Sequence, residues 1–418
     1  MSRPGLLRDR DFRGLFLSTT VSQFGQQITV LALPLAAVLT LDVGEFEVGV
    51  LAAMSTLAFL LIGLPAGAWV DRMRRRNVLI TADLARAAAL LTVPIAWWAD
   101  VLTIWHLYAT ALLMGALTVF FDVAYQSYLP HLVGRANLVE GNAKLETVRS
   151  AAQLSGPALA GQLVGWLTAP FALAFDAIAM GASALFVVFI RKREDRPQVE
   201  RGSKITGEIK EGLAFVLRNR LLTAIVACTA WGNLCMAAFT AMTLVFLPRE
   251  MGLSPGAMGL FYSLFGCGGL LGAFLTRTAA ARIGEGRIIW VSMAITSPGL
   301  LLLPAAQPGW QIWLAAIGMA YVGIGVVVYN VTQVSFRQRL TPDRLLGRMN
   351  ATVRFLVWGT QPLGALLGGV IGQLFGARTA LWAAGLAACL AFLPVLLSPL
   401  RNMRDLPNPT EEAEPVGV

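Results

Sequence analysis

The sequence predicts an all-α membrane protein with twelve transmembrane helices, arranged as two parallel-repeat bundles of six helices each. Three observations carry this prediction: the apolar composition, the number of long apolar runs and an internal repeat. Of the 418 residues, 56% are hydrophobic and only 14% are charged, with a mean hydropathy of +0.66. This composition is too apolar for the surface of a soluble protein. We therefore expect no separate soluble catalytic domain.

Apolar runs of about 18 residues or more, separated by charged or turn-rich breaks, mark the candidate spans. Each crossing of the hydrocarbon core needs about 20 apolar residues, so a chain of this length has room for roughly twelve. The predicted spans, numbered 1 to 12, cover residues 14–40, 48–70, 78–98, 104–127, 148–167, 172–190, 221–247, 257–276, 288–305, 311–335, 352–374 and 379–397.

The basic residues lie mostly on one side of these spans. Nearly all of the 33 lysines and arginines fall in the two tails or in the loops after even-numbered spans. By the positive-inside rule, both termini are expected in the cytoplasm of a multi-pass protein in a cell membrane, which we take to be bacterial. The net charge of +9 then needs no nucleic-acid partner, although the same loops should attract headgroups of the lipid bilayer. The first apolar run is too long for a signal peptide, so we expect a retained helix.

Cysteine and histidine give no sign of a metal or a cofactor. The four cysteines lie in apolar runs without a C-x-x-C spacing, and the chain has only two histidines, so neither a metal cluster nor a disulfide framework is expected. The glycine-rich segment Gly266–Gly272 imitates a nucleotide-binding loop, but it lies inside a hydrophobic span with no strand before it. We expect no cofactor there.

An internal repeat relates the two halves of the chain. The pairs that match at an offset of 205 residues include Gly63 with Gly268, Gly67 with Gly272, Arg72 with Arg277, Val148 with Val353, Arg149 with Arg354 and Pro157 with Pro362. Because each half has an even number of spans, the repeats run parallel, and such transporters bind their ligand between the halves near the bilayer midplane. The predicted organisation is an N-terminal bundle at 1–190, a cytoplasmic linker at 191–220, a C-terminal bundle at 221–400 and a cytoplasmic tail at 401–418.

Two short motifs resemble those of a known family. The loop after span 2 reads Gly67-x-x-x-Asp71-Arg72-x-Arg74-Arg75-Arg76 and resembles the G-x-x-x-D-R-x-G-R-[RK] motif of the major facilitator superfamily, with Arg74 in place of a glycine. Ser155 to Gly161 in span 5 is similar to the G-P-x-x-G-G segment of the exporters in that family. Ser22 to Gly25 and Thr341 to Arg348 resemble the branch that contains enterobactin and macrolide exporters.

The resemblance implies roles for charged residues near the predicted cytoplasmic side. The family's aspartate, here Asp71, caps the N-terminal end of span 11 and locks that side shut, with Arg72 beside it. The resemblance also implies a salt bridge from Arg75 to Asp122 in span 4. Alternatively Asp122 could carry the transported proton, since a carboxylate removed from water takes up a proton more readily. Within span 3, Asp83 and Arg86 are three residues apart and should pair on one helix face.

Glycine and proline mark candidate conformational positions. Gly67 and Gly272 should let neighbouring helices approach closely. Gly156-Pro157 and Gln361-Pro362 should break or kink spans 5 and 11, either as gates beside the pathway or as ordinary kinks.

Uncharged polar and aromatic residues near the predicted midplane mark a candidate binding site. Such residues suit a bulky, largely apolar ligand held by a few hydrogen bonds, although hydrogen bonding between helices is an alternative role for each of them. The candidates are Gln23, Gln26, Gln27, Gln153, Trp231, Asn233, Trp358 and Gln361. We expect Gln26, Asn233 and Gln361 to border one cavity at the bundle interface.

These features predict a secondary transporter that works by alternating access. The resemblance implies an antiporter that exports an amphipathic small molecule, such as a drug, a macrolide or a siderophore-like compound, coupled to proton entry. A nutrient-uptake symporter and a non-transporting membrane receptor or scaffold are the alternatives. An enzyme is not expected, because no His, Cys or Ser constellation with catalytic spacing is present, and no Walker motif points to ATP.

Overall fold

The structure is a computed structural model that describes residues 5–70, 72–134, 137–192, 194, 205–342 and 345–403. The described residues form helices, turns and short irregular segments, with no strand among them. The polar connections at 193–204 and the tail after residue 403 lie outside these ranges, apart from Glu194.

Six long helices form the first part of the chain. They are α1 Arg10–Leu35, α2 Glu45–Val70, α3 Arg75–Trp98, α4 Ile104–Val133, α5 Leu138–Leu167 and α6 Ala169–Val188. The Asp9 carboxylate accepts hydrogen bonds from the first free N–H groups of α1, and the Thr103 hydroxyl caps α4 in the same way, as such residues do at helix starts. Thr168, at a positive φ of 79°, ends α5 and turns the chain directly into α6.

The rest of the described chain is also helical. The helices are α7 Ile205–Arg218, α8 Arg220–Arg249, α9 Pro255–Ile283, α10 Glu285–Thr296, α11 Leu302–Ala305, α12 Gln311–Leu340, α13 Leu346–Trp358, α14 Thr360–Phe375, α15 Ala377–Ala388 and α16 Leu393–Leu396. A 3-10 segment, Ser297–Leu301, joins α10 to α11. Helix α7 lies inside the predicted linker.

Eleven helical segments among the described residues are long and apolar enough to cross a membrane. Three of these segments join consecutive helices: α10 with α11, α13 with α14, and α15 with α16. The eleven segments correspond to all the predicted spans except span 5. Helix α5 has 30 residues, which is more than the roughly 20 needed, but Gln153, Ser155 and Gln162 lower the hydropathy of its second half. A twelfth crossing therefore stays a prediction.

The chain divides into two compact units. The first contains Met1–Glu200 and Ala241–Ser263, and the second contains Arg201–Thr240 and Leu264–Val418. Both α8 and α9 contribute to each unit, so that the end of α8 and the start of α9 belong with the first six helices. The predicted bundle boundaries at 190 and 221 stay a prediction. The sequence placed residues 241–263 in the second bundle, whereas in the structure they belong to the first unit.

In the first unit α6 packs against both α1 and α3, while α2 packs against α4. Apolar side chains such as Phe12, Leu79, Tyr128 and Val187 form a buried cluster. The α2–α4 contact is close because α4 presents a glycine to it: a Cβ on Gly115 would lie 2.5 Å from the Ser55 carbonyl oxygen.

The second unit uses glycines in a similar way. A Cβ on Gly268 would lie 1.8 Å from the Ala320 carbonyl oxygen, and one on Gly323 would lie 2.4 Å from the Phe265 carbonyl oxygen. Helices α9 and α12 thus touch through their backbones, as small residues allow in membranes. Helix α7 packs its apolar face on α13, where Val216 is buried with Met349.

Candidate functional site

The three candidate glutamines of α1 lie in the first unit and are all partly buried. Gln27 packs against α5 at Gly156, where an added Cβ would lie 2.4 Å from the Gln27 Cγ atom. Gly156 therefore makes room for a candidate ligand-binding side chain. Gln153 of α5 is exposed; its contribution to a site stays a prediction.

In the second unit, two of the predicted amides meet. The Gln361 amide nitrogen donates to the Asn233 side-chain oxygen at 3.2 Å, and the Asn233 amide nitrogen donates to the Thr229 carbonyl oxygen at 2.9 Å. Next to this pair, a Cβ on Gly364 would lie only 2.0 Å from the Leu234 carbonyl oxygen. The close approach of α8 and α14 brings Asn233 and Gln361 together.

The two candidate tryptophans of the second unit have defined partners. The Trp231 indole donates to the Ala387 carbonyl oxygen at 2.8 Å while 46% of the residue stays exposed. The Arg354 guanidinium carbon lies 4.4 Å from the centre of the Trp358 ring, which is cation–π geometry. Trp231 thus presents an apolar ring face with its N–H already satisfied, and Trp358 lies next to a cation, which sequence reasoning did not foresee.

The candidate amides fall in different units: those of α1 and α5 in the first, and Asn233 and Gln361 in the second. Their meeting around one cavity stays a prediction. Among the described residues, no group of three or more His, Cys, Asp or Glu side chains is arranged to hold a metal ion.

The charged loop motif is described in part. Asp71 lies outside the described residues, and Arg72 is exposed. Arg75 lies 3.8 Å from the carboxylate of Glu194, and the same carboxylate accepts a hydrogen bond from the Arg76 backbone N–H at 3.0 Å. Glu194 is an acidic partner that sequence reasoning missed, because it comes more than 100 residues later in the predicted linker. The predicted pairing of Arg75 with Asp122 stays a prediction.

The close approach predicted at Gly67 does not occur in this structure, and a role for Gly67 in other conformations stays a prediction. No atom of the described residues lies within 4 Å of where a Cβ on Gly67 would stand. The tight contact between α2 and α4 lies instead at Ser55, earlier on α2, where α2 meets Gly115 of α4. The corresponding prediction for Gly272 agrees with the structure: its Cβ would lie 2.6 Å from the Ile324 carbonyl oxygen.

The two predicted proline breaks also differ. Pro157 lies inside α5, which runs on without a break, so of the two predicted outcomes for span 5, a break or a kink, the kink stays a prediction. The missing N–H of Pro157 leaves the Gln153 carbonyl without its helical donor. Span 11 is interrupted, at Gly359 between α13 and α14. Pro362 follows in the first turn of α14, where a missing N–H costs no hydrogen bond.

A contact between α5 and the start of α9 forms inside the first unit. A Cβ on Gly161 would lie 2.3 Å from the Pro255 carbonyl oxygen, and one on Gly259 would lie 2.2 Å from the Pro157 carbonyl oxygen. The Ala158 backbone N–H donates to the Ser263 hydroxyl at 3.2 Å. The glycines and proline of the exporter-like segment therefore form a backbone-to-backbone contact, which makes this segment a candidate gate.

A salt bridge at the end of α8 accompanies that contact. Arg249 donates to the Asp42 carboxylate and to the Val43 carbonyl oxygen, both at 2.7 Å, and Glu45 lies 3.8 Å away. Arg249 thereby ties the end of α8 to the turn between α1 and α2. No local sequence pattern indicates this contact, because Arg249 and Asp42 are 207 residues apart in the chain.

Buried polar groups lie between α1, α3 and α6. The predicted Asp83–Arg86 pair is confirmed, with both side chains at most 2% exposed. The Ser183 hydroxyl donates to the Asp83 carboxylate at 2.6 Å and is 2.8 Å from the Ser18 hydroxyl. The Arg86 guanidinium lies 4.3 Å from the centre of the Phe121 ring. Both oxygens of the buried Asp83 carboxylate therefore accept a hydrogen bond, one from Arg86 and one from Ser183.

Asp176 of α6 is, with Asp83, one of two fully buried carboxylates among the residues that the structure describes. The Thr29 hydroxyl donates to its Oδ2 atom, while its Oδ1 atom has no hydrogen-bond partner among the residues that the structure describes. A Cβ on Gly25 would lie 2.2 Å from that Oδ1. Glycine at position 25 is what allows the carboxylate to lie against α1.

Comparison of the sequence with known families identifies this arrangement of helices. The sequence model of the Major Facilitator Superfamily matches residues 15–360. The chain belongs to the major facilitator superfamily. It is a multi-span membrane transporter, and the family resemblance of its motifs is confirmed.

Relatives of known name include multidrug efflux pumps. The multidrug efflux pump Tap of Mycobacterium tuberculosis (strain ATCC 25618 / H37Rv) is 26% identical over 424 residues, covering 96% of this chain and 97% of the relative. Tap of Mycolicibacterium fortuitum is 27% identical over 408 residues, covering 93% and 96%.

Solved structures of the same fold include proteins with other names. A bacterial homologue of the iron transporter ferroportin superposes with a TM-score of 0.77 at 16% identity, covering 94% of this chain and 99% of that one. The nucleoside transporter NupG gives a TM-score of 0.73 at 14% identity, with coverages of 92% and 98%. At these identities the likeness shows the fold alone.

Proposed function

We propose that this protein exports an amphipathic small molecule from a bacterial cell by alternating access, coupled to proton entry. The observation that carries this proposal is the hydrogen-bonded pair of Asn233 and Gln361. The half-exposed Trp231, on the same helix α8 as Asn233, adds an aromatic ring to the second unit. Uncharged amides and an aromatic face can bind a bulky apolar ligand through a few hydrogen bonds. The similarity to multidrug efflux pumps along nearly the whole chain supports the same direction of transport.

In this function, the glutamines of α1 would complete the site from the first unit. Gln23, Gln26 and Gln27 carry the same uncharged amide chemistry as Asn233 and Gln361, and such groups are costly when they face lipid unpaired. A ligand would replace the hydrogen bond between Gln361 and Asn233 with bonds of its own. A large apolar ligand then gains affinity from burial and orientation from the amides.

The conformational residues would act at two ends of the first unit. Gly161 and Gly259 form a contact that only residues without a Cβ permit, and its separation would open the pathway at that end. The motif residues Asp71, Arg72 and Arg75 would hold the other end, which the positive-inside rule predicts to face the cytoplasm. Gly67, Asp122, Gly156, Pro157, Gly272 and Pro362 complete the set of proposed conformational positions.

Transport in everted membrane vesicles tests this function. Vesicles from cells that express the protein are given a proton gradient, with the acidic side inside the vesicle, and are offered ethidium, erythromycin or a catecholate siderophore. Export predicts accumulation of at least one probe inside everted vesicles, lost when a protonophore collapses the gradient. Accumulation only in right-side-out vesicles with an inward-directed proton gradient would instead establish uptake.

A further inference from the structure

The contact between α1 and α6 is formed mostly by small and polar residues spaced one helical turn apart, together with one methionine. On α1 these are Ser18, Ser22, Gly25 and Thr29, and on α6 they are Asp176, Met180 and Ser183. Residues at such spacings share one face of a helix. We call this contact, with Asp83 and Arg86 at its Ser183 end, the α1–α6 seam. It contains two carboxylates in different surroundings.

Asp83 has the partners that an ionised carboxylate needs. Arg86 donates to its Oδ1 atom and Ser183 to its Oδ2 atom. A buried charge is tolerated when it is paired and hydrogen-bonded in this way. Asp83 and Arg86 together form a closed, neutral unit inside the protein.

Asp176 lacks such partners within the described part of the chain. An ionised carboxylate can accept about four hydrogen bonds, yet Asp176 accepts one from these residues, from Thr29, and its buried Oδ1 atom has no donor among them. Burying an ionised carboxylate with one donor is strongly unfavourable, whereas the neutral acid has no charge to desolvate. The geometry at Asp176 therefore fits the protonated acid.

The charged groups around Asp176 leave it without a permanent counter-ion among the described residues. From α3, Arg86 and Asp83 both act on it, but these two are paired with each other. The charged residues of α1 lie at its start, at residues 10–13, and those of α5 lie at residues 140–149, both far along their helices from the level of Asp176. The segment Ala36–Thr40 has no charged residue.

The space beside Asp176 is too small for a metal cation. The position of a Gly25 Cβ is only 2.2 Å from the unpartnered Oδ1, so the α1 backbone lies directly against it. Cations held by oxygen atoms need several ligands around them, and this contact offers one carboxylate and one hydroxyl from the described residues. A proton needs no such space.

The seam also isolates Asp176 from the Asp83–Arg86 pair. Hydrogen bonds run from Asp83 through Ser183 to Ser18, but the next hydroxyl, that of Ser22, donates to the Met180 sulfur at 3.8 Å. A thioether has no proton to pass on. In this conformation Asp176 is therefore fully buried and has no hydrogen-bonded connection through these hydroxyl groups to the Asp83–Arg86 pair.

We propose that Asp176 is the residue that carries the transported proton, and that opening of the seam between Gly25 and Asp176 exchanges that proton with water. This inference rests on the proposed proton-coupled export and names its coupling site. An O–H bond forms at the Asp176 carboxyl when the seam is open to the proton-rich side, and it breaks to water on the other side. Gln26 follows Gly25 directly, so a movement of α1 would change the seam and the proposed ligand site together.

The first experiment needs no ligand. The purified protein in a detergent without ester groups is studied by infrared spectroscopy across a pH titration, with hydrogen–deuterium exchange to mark carboxyl bands. We expect a carbonyl-stretch band of one buried protonated acid that is retained at neutral pH, is absent in Asp176→Asn and is unchanged in Glu146→Gln, which removes an exposed carboxylate of α5. An unchanged band in Asp176→Asn would overturn the assignment.

A second variant covers the case in which Asp176→Asn does not fold. Thr29→Val removes the hydroxyl that donates to Asp176 and keeps the carboxyl group, so the band should shift to higher frequency. A band that does not move in Thr29→Val would equally contradict the proposal.

The second experiment separates coupling from transport, with ethidium as the probe in proteoliposomes. Asp176→Asn should keep ethidium exchange within about twofold of the wild type but should lose at least tenfold of the accumulation driven by a proton gradient. Retained gradient-driven accumulation in this variant would overturn the proposal. Failure of the wild type to move ethidium would count against the proposed function for that probe, while the infrared result would still decide the protonation of Asp176.

Discussion

The α1–α6 seam has a counterpart in the second unit that can be found by counting along corresponding helices. Asp83 and Arg86 are the ninth and twelfth residues of α3, and the same positions of α10 are Met293 and Thr296. Arg86 and Thr296 are both buried. The two helices bury the same face, but only the first unit places charges at these positions.

The two units differ in the same way at Asp176. Asp176 is the eighth residue of α6, and the eighth residue of α15 is Ala384, which is 7% exposed. Each helix follows a residue with positive φ, Thr168 or Gly376, so their starts correspond. Because an apolar residue serves in the second unit, the packing of this fold does not require a carboxylate. The charges of the first unit are therefore candidates for function, as intramembrane ionisable groups generally are.

The largest expected effect on stability comes from replacing Asp83 of α3 by methionine, the residue at the corresponding position of α10. Asp83→Met leaves Arg86 buried without its partner, and we expect this to lower the free energy of unfolding by about 3–5 kcal/mol. Unfolding of the purified protein in detergent, followed by intrinsic fluorescence, measures the loss. The matched double variant, Asp83→Met with Arg86→Thr, should recover most of it. A double variant as unstable as the single one would mean that the neutral packing of α10 cannot be transferred to α3.

A second comparison concerns two glycines that the internal repeat makes equivalent. Gly272→Val should destabilise the protein by about 1–3 kcal/mol, because its Cβ would meet the Ile324 carbonyl oxygen in a packed interface. Gly67→Val should change the stability by less than about 0.5 kcal/mol, because the position is open. Thermal unfolding of both variants in the same detergent gives the comparison.

Gly67 also allows a test of conformations other than this one. Gly67→Leu should insert into the membrane normally but reduce transport, if a neighbouring helix comes close to Gly67 during the cycle. Transport is measured at matched expression. Unaltered transport would remove Gly67 from the proposed conformational residues.

The uncharged contact of the second unit should give a smaller effect. Gln361→Leu removes an amide that would hydrogen-bond to the ligand in place of Asn233. One such bond is worth about 1 kcal/mol, and a loss of that size in ligand binding is about a fivefold change in affinity. The concentration of ethidium that gives half-maximal transport measures this change. Gln373→Leu, at an exposed position near the end of α14, is the control, and an equal effect of both substitutions would contradict a special role for the α8–α14 pair.

The smallest expected effect on stability concerns the exposed end of the first unit. Arg75 is about one-third exposed, and such pairs contribute about 0–1 kcal/mol, so we expect a change in transport rather than in folding. Arg75→Asp should reduce transport at matched expression. Restoration by Glu194→Arg would identify the pair seen in the structure, whereas restoration by Asp122→Arg would support the pairing that the family motif implies. Restoration by neither would assign Arg75 a role outside both pairs.

Several features followed directly from local sequence patterns. The apolar runs located the spanning helices, because the length of a crossing is set by the bilayer. The Asp83–Arg86 pair could be predicted because both residues lie on one turn of one helix. The loop motif and the exporter-like segment led to the correct family. The close approach at Gly67, which this structure does not show, depends on where the neighbouring helix lies and could not be judged from one helix.

What the sequence by itself determined is therefore the membrane class, the approximate helix positions, the family and the contacts within single helices, because these depend on composition and on the spacing of nearby residues. Only the tertiary structure decided which residues far apart in the chain meet: Thr29 and Gly25 with Asp176, Asn233 with Gln361, and Arg75 with Glu194. These contacts depend on how helices rotate and approach one another, which is set by the packing of all their side chains at once. The polar residue types in the spans could be recognised from the sequence, and they indicated the amides. That the Asp176 carboxylate has a single hydrogen-bond donor among the described residues depends on its neighbours and could be seen only in the structure.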